Sequence, residues 1–169
     1  MTVEILILII IVIIVVMGFS VIVGAPYIPT RRKWASEALG LVKLNKNDIV
    51  VDLGSGDGAI LKLVADKGAK VIGYEINPIL YLLSRIRTAK YSDRIKIHLK
   101  NYWSENLPKD TTVIYIFGLQ RDSEKFEKYL ASQGIKNLKV ITFGFDLPNY
   151  KPTKTTNGAN LYLFNELML

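Results

Sequence analysis

From Ile5 to Val23 every position is apolar except Gly18 and Ser20, with no polar stripe to set one helix face against a core. These 19 residues would rise roughly 28 Å as a helix, close to the hydrocarbon thickness of a bilayer. The run predicts an N-terminal transmembrane helix, dividing the chain into an anchor over residues 1–25 and a domain over 26–169. A cleaved signal peptide would need a basic segment ahead of the run, and the only charge there is Glu4.

Beyond the run the pattern alternates. Trp34, Ala38, Leu41 and Val42 recur at helical spacing, with Thr30 as an N-cap. Ile49 to Leu53 reads as a short buried strand ending in a Gly-rich turn, Ala59 to Ala65 as a helix, and Lys70 to Tyr74 as a second strand. Asn77-Pro78 is an N-cap and first-turn pair for a helix running to about Tyr91, with a strand near Ile95 to Leu99. A strand over Thr112 to Phe117, a helix from Arg121 to about Ala131 and a strand over Leu138 to Phe143 follow. Asp146 to Gly158 reads as a Pro-rich loop and Asn160 to Leu167 as a closing strand, which suggests a trimmed hairpin at the sheet edge. The alternation predicts an α/β fold, a Rossmann-like doubly wound, mostly parallel sheet with helices on both faces.

Composition narrows the chemistry. The chain of 169 residues has no cysteine and one histidine, His98. Disulfides, thiolate zinc sites and cysteine nucleophiles are excluded, and no histidine cluster exists for a metal, so no metal site is expected. His98 reads as a strand residue. All 22 basic residues and 14 of the 15 acidic ones lie beyond the apolar run, leaving +8 there. Arg31, Arg32 and Lys33 follow the run directly, which places the domain on the cytoplasmic side of a single-pass topology. The excess charge fits either attraction to anionic lipid or a solvated basic face. No nucleic-acid-binding motif accompanies it.

Asp52-Leu53-Gly54-Ser55-Gly56-Asp57-Gly58 sits where a strand gives way to a helix. Glycines there permit a tight turn and let a ligand approach the main chain, and in open α/β sheets ligands lie at the carboxyl ends of the strands. Glu75 ends the second strand, 19 residues beyond Gly56, where an acid can accept hydrogen bonds from both ribose hydroxyls of a nucleoside. The turn is G-x-G-x-G, not the G-x-G-x-x-G of dinucleotide sites, and Asp52 and Asp57 would repel a pyrophosphate. They suit a cationic nucleoside bearing an ammonium and a sulfonium, which is S-adenosylmethionine. A bare strand-to-helix turn without a ligand is the structural alternative.

These residues resemble the seven-strand class of S-adenosylmethionine-dependent methyltransferases. Asp52 to Gly58 looks like the first motif of that class and Gly73-Tyr74-Glu75-Ile76-Asn77-Pro78 like the second. Together with Pro26-Tyr27-Ile28-Pro29-Thr30, they are similar to a small group of protein-lysine methyltransferases that includes archaeal broad-specificity and membrane-anchored mitochondrial enzymes. The resemblance implies that Asp52, Gly54, Ser55 and Gly56 line the methionine part of the cofactor, with Asp57 near its amino group and Glu75 on the ribose. It implies that Asn101 and Tyr102 flank the adenine, and that Tyr27, Pro29 and Thr30 shape a lysine channel. An arginine common after the first motif is replaced by Ala59, and an adenine-contacting acid by Asn101. Phe117-Gly118-Leu119 stands where amino-methylating nucleic acid enzymes carry Asp/Asn-Pro-Pro-Tyr, which argues against a nucleic acid substrate.

The implied acceptor is a protein lysine, in a membrane protein or one close to the bilayer. A lysine of pKa ~10.4 must lose its proton, which costs roughly 4.6 kcal/mol at pH 7, and an apolar channel beside a cation favours that loss. Tyr27, Tyr102, Trp103 and Phe117 are candidate walls, with Trp103 and Phe117 facing substrate, although aromatic residues at strand ends equally serve a core. Two alternatives stand beside this reading: a methyltransferase for a lipid head group or small amine, and a nucleotide-binding membrane scaffold without turnover.

Overall fold

The computed structural model describes residues 2–11, 18 and 32–165. Residues 3–11 are helical (α1), and the apolar side chains of Val3 and of Ile5 to Ile11 stand 43–72 % exposed. Among the described residues no helix is long and apolar enough to cross a membrane. The rest of the predicted anchor, and Tyr27, Pro29 and Thr30, lie outside the described residues.

Seven strands form one mixed sheet in the order β3-β2-β1-β4-β5-β7-β6. The strands β1 (Ile49–Leu53), β2 (Lys70–Glu75), β3 (Ile95–Leu99), β4 (Val113–Phe117) and β5 (Leu138–Phe143) run parallel. The last pair, β6 (Lys154–Thr156) and β7 (Ala159–Phe164), is antiparallel, with β7 bonded to β5. Parallel strands covered on both faces become continuous apolar runs, and Val113-Ile114-Tyr115-Ile116 is buried at every residue.

On one face of the sheet α2 (Arg32–Gly40) and α3 (Ala59–Asp66) bury Ala35, Ala38, Leu39, Leu61 and Val64 against Val50, Val71, Tyr115 and Ile141. The opposite face carries α5 (Ser123–Gln133), whose Phe126, Tyr129 and Leu130 pack on Val51, Ile114, Ile116 and Val140. The remaining helix, α4 (Pro78–Thr88), lies along β2 and β3 and continues into a 3-10 turn over Ala89–Tyr91. Its N-cap is Asn77, whose side chain accepts from the amides of Ile79 (2.9 Å) and Leu80 (3.2 Å), and Pro78 occupies the first turn.

Three expectations are corrected. The inward stripe of α2 is Ala35, Ala38 and Leu39, with Val42 buried just beyond its end, while Trp34 is 42 % exposed; small residues let the helix approach the sheet. The stretch read as a loop contains β6, and the hairpin at the sheet edge is complete, closed by Asn157-Gly158 with Gly158 at φ 79°. β6 is hidden in the sequence because Lys-Thr-Thr is polar and too short for a period-2 pattern. The closing strand ends at Phe164, ahead of Leu167, which is outside the described residues.

Gly58 is the N-cap of α3 at φ 81°, and a Cβ placed there would lie 2.6 Å from Ser84 Oγ on α4. Gly58→Ala combines a strained backbone with overpacking of the α3–α4 contact. It should cost about 1–3 kcal/mol, read as a lower denaturant midpoint at unchanged slope.

Candidate active site

The C-terminal ends of β1, β2 and β3 meet at one residue, Glu75. The Glu75 carboxylate accepts from the Gly56 amide at Oε2 and from the Asn77 amide at Oε1, both at 2.7 Å. Its own carbonyl accepts from the Lys100 amide at 2.9 Å, so the loop after β3 is tied to the same residue. The glycine turn is sewn to β2 in parallel: the amides of Gly54 and Ser55 both donate to the Tyr74 carbonyl at 2.9 Å. Reversing the chain within so few residues requires left-handed backbone, with Gly54 at φ 87° and Gly56 at φ 54°. Nothing stands within 4 Å of where a Gly54 Cβ would be, so the turn borders open space.

Asp52 is 2 % exposed at the end of β1, in register with Gly73 of β2 and Tyr115 of β4. Among the described residues its Oδ2 has no hydrogen-bond partner, nor has the Tyr115 hydroxyl. Burial, and then the charges of Glu75 and Asp57, hold the Asp52 carboxyl well above the usual carboxylate range. Burial also raises Glu75, against the lowering effect of its backbone amide donors. Tyr115 is raised by burial and by the Asp52 charge. These are buried acids short of positive charge.

Asp57 has a different setting. It is ion-paired with Arg87 of α4 and accepts from the Ala59 amide at 3.2 Å. Arg87 thus brings a guanidinium to this turn although position 59 is alanine; thirty residues separate the partners, so no local pattern marks them.

The other predicted site residues spread over the same edge. Ser55 is buried with its Oγ against β2, 2.8 Å from where a Gly73 Cβ would stand. Asn101 follows the loop that Glu75 tethers, and its Oδ1 caps the 3-10 turn Tyr102–Ser104 through the Trp103 amide at 3.2 Å. The rings of Tyr102 and Trp103 lie 4.7 Å apart and both face Tyr129 of α5, while Lys125 Nζ sits 4.0 Å over the Trp103 ring. They pack against the α5 core, as aromatic residues in such positions often do. Phe117, half-buried at the tip of β4, lies on the other face with its ring 5.9 Å from Phe143. The loops after β4 and β5 are joined by Gln120, whose amide accepts from Asp146 N (2.8 Å) and donates to Asp146 O (3.1 Å).

Two buried carboxylates around a side-chain-free turn fit a cationic nucleoside: Glu75 retains acceptor capacity beyond its two amides, and an unpartnered Asp52 oxygen is relieved by positive charge. Known proteins point the same way. Residues 52–154 match the ANTKMT methyltransferase domain. The chain belongs to this family. It is 30 % identical over 129 residues to a lysine N-methyltransferase of Xenopus laevis named for an ATP synthase subunit, covering 75 % of this chain and 56 % of that protein. Against the Homo sapiens protein of the same description the identity is 29 %, over 78 % of this chain and 56 % of that one. A protein-lysine N-methyltransferase of Saccharolobus islandicus is 29 % identical, over 75 % of this chain and 81 % of its length. The chain thus spans little more than half the length of the animal relatives. Among solved structures, an RNA methyltransferase from Salinibacter ruber in complex with S-adenosyl-L-homocysteine superposes with a TM-score of 0.74 at 25 % identity, covering 81 % of this chain and 92 % of that one. The fold is that of S-adenosylmethionine-dependent methyltransferases.

Two outcomes test this geometry. Glu75→Gln keeps the shape but offers one acceptor oxygen to two amides, so unfolding free energy should drop by about 1–3 kcal/mol in denaturant titration. The raised carboxyls set a pH dependence. In the unfolded chain both acids titrate near about pH 4. Between there and their higher folded values the native state holds protons the unfolded state lacks, so their contribution to stability falls as pH rises through that window. Thermal melts of ligand-free protein should show this decline, and Asp52→Asn should flatten it.

Proposed function

We propose that this chain is an S-adenosylmethionine-dependent methyltransferase that methylates a lysine side chain of a protein at or near a bilayer. The observation that carries the reading is the paired burial of Asp52 and Glu75 around a glycine turn. In it Asp52, Gly54, Ser55 and Gly56 line the methionine part of the cofactor. Asp57, its charge shared with Arg87, lies toward the amino group, Glu75 takes the ribose hydroxyls, and Asn101 and Tyr102 border the adenine. When bound, the cofactor supplies an electrophilic methyl group on a sulfonium.

The residues of the chain supply alignment and dryness. In-line displacement needs donor and nucleophile held close with water excluded. Phe117, against Phe143, is an apolar wall beside the β4 tip where a lysine chain can shed its proton. Tyr27, Pro29 and Thr30 complete the channel in this reading, with Trp103 at its rim.

The membrane part rests on the 19-residue run from Ile5 to Val23, apolar except at Gly18 and Ser20, and on the exposure of every large apolar side chain over residues 3–11. Residues 1–25 are the anchor and 26–169 the catalytic domain, facing the cytoplasm. The named activities of the lysine methyltransferase relatives support protein over lipid or small amine as acceptor. The Salinibacter likeness supports the fold and the donor.

Incubating the full chain with methyl-labelled S-adenosylmethionine and native membranes should place label on lysine in protein; label confined to lipid or RNA would reassign the acceptor, and none at all would leave a binding protein. Asp52→Ala and Glu75→Ala should each weaken donor binding about 100-fold or more by calorimetry.

A further inference from the structure

α4 is built the wrong way out for a helix whose only neighbours are protein. Its inward positions are Leu80, Ser84 and Thr88, the last two buried at 0 % and 3 % exposure, with Thr88 Oγ1 donating to the Ser84 carbonyl at 2.8 Å. Its large apolar side chains point away: Ile79 is 40 % exposed, Leu82 58 %, Leu83 41 % and Ile86 67 %. The spacing i, i+3, i+4, i+7 is the stripe with which an amphipathic helix faces an apolar medium, and here that medium lies outside the fold. Polarity inside is dictated by α3, whose Gly58 approaches Ser84 and Thr88 closely. That packing does not explain four exposed aliphatic side chains in two turns.

The geometry points to α4 as an interfacial helix that lies on an anionic bilayer surface beside the anchor, an inference that rests on the membrane reading of the N-terminal run. Charge selects this occupant. At about 100° per residue, Arg85 and Arg87 fall on the two flanks of the stripe, Arg87 in its ion pair with Asp57, and Lys90 follows in the 3-10 turn. Between Ile76 and Ser92 there are three basic residues and no acidic one. An apolar centre with basic margins, on a segment that carries no acid of its own, is the pattern of a helix resting at head-group level with its stripe about 5–10 Å into the acyl boundary. A second copy of the chain would set Arg85 and Lys90 against themselves across a two-fold axis, and the described part of α1 leaves the stripe uncovered.

The consequence for the reaction is positional. Asn77 caps α4 and donates to Glu75, so the end of the helix that lies on the membrane is the end that carries the donor site. An acceptor lysine is then presented at the level of the lipid head groups.

The test uses the absence of cysteine. Full-length protein carrying Leu82→Cys, or Lys128→Cys on α5 across the sheet, is labelled with a fluorophore. It is then reconstituted into phosphatidylcholine vesicles with or without about 30 % phosphatidylglycerol, each containing a brominated lipid quencher. The label at position 82 should be quenched about twofold or more in the anionic vesicles, lose much of this in ~1 M salt, and exceed the signal at 128 throughout. Arg85→Gln should reduce it while the protein remains folded. Equal signals at 82 and 128, or none at 82, would overturn the proposal, as would efficient cross-linking of two Leu82→Cys copies by a short bismaleimide. Alkaline extraction of the same vesicles reads the anchor separately: protein that stays in the pellet without quenching at 82 sinks the interfacial helix alone, whereas release at high pH sinks the anchor.

Discussion

The clasp on Glu75 is the constraint on which the rest of the molecule depends. One carboxylate holds the main chain of the glycine turn through Gly56 and the start of α4 through Asn77, while the carbonyl of the same residue receives Lys100. Three strand-end loops thereby share a reference point, and the positions of Asp52, Asn101 and the α4 N-terminus follow from it. The sheet supplies the platform: parallel register puts Leu53 beside Tyr74 and Glu75 beside Leu99, so the carboxyl ends of β1, β2 and β3 sit level with one another.

The electrostatics of the site follow from its burial. Removing carboxylates from water is unfavourable unless positive charge or hydrogen bonds offset it. Glu75 receives two amides, Asp57 receives Arg87, and Asp52 receives neither among the described residues. The unevenness carries information. A fold has no structural need for a buried acid with an unpartnered oxygen, whereas a site for a sulfonium-bearing nucleoside does. In this reading the domain forgoes stability at Asp52 that a cationic ligand restores.

Much of this is legible in the residues. Of the five parallel strands, β1, β2, β4 and β5 stand where largely apolar runs end in glycine or polar turns, because a strand covered on both faces leaves little room for polar side chains; β3, at the border, is the mixed run Ile-Lys-Ile-His-Leu. The glycine turn and Glu75 are legible because backbone reversal calls for glycine and an acid at the next strand end can clasp the turn, as Glu75 does through the Gly56 amide. What the residues hide depends on contacts remote in sequence. Arg87 meets Asp57 only because α4 packs beside the turn, and Gln120 meets Asp146 only because β4 and β5 are neighbours. The rings of Tyr102 and Trp103 pack against α5, a contact that an aromatic pair after a strand does not announce in the sequence. β6 is masked by its polarity, and the outward stripe of α4 looks like that of an ordinary core helix, since periodicity tells that a face exists but not where it points.

The two borders of the sheet differ from its middle in a way that bears on how copies of the chain meet. One border is β3, five residues long and carrying Lys96; the other is β6, three residues of Lys-Thr-Thr. Short, charged margins offer little for another chain to extend by main-chain pairing. The apolar exposure of the described residues gathers instead on α1 and α4. Clumping in the absence of lipid would therefore proceed through greasy helices, a kind of association that detergent disperses, and not through open-ended growth of strands.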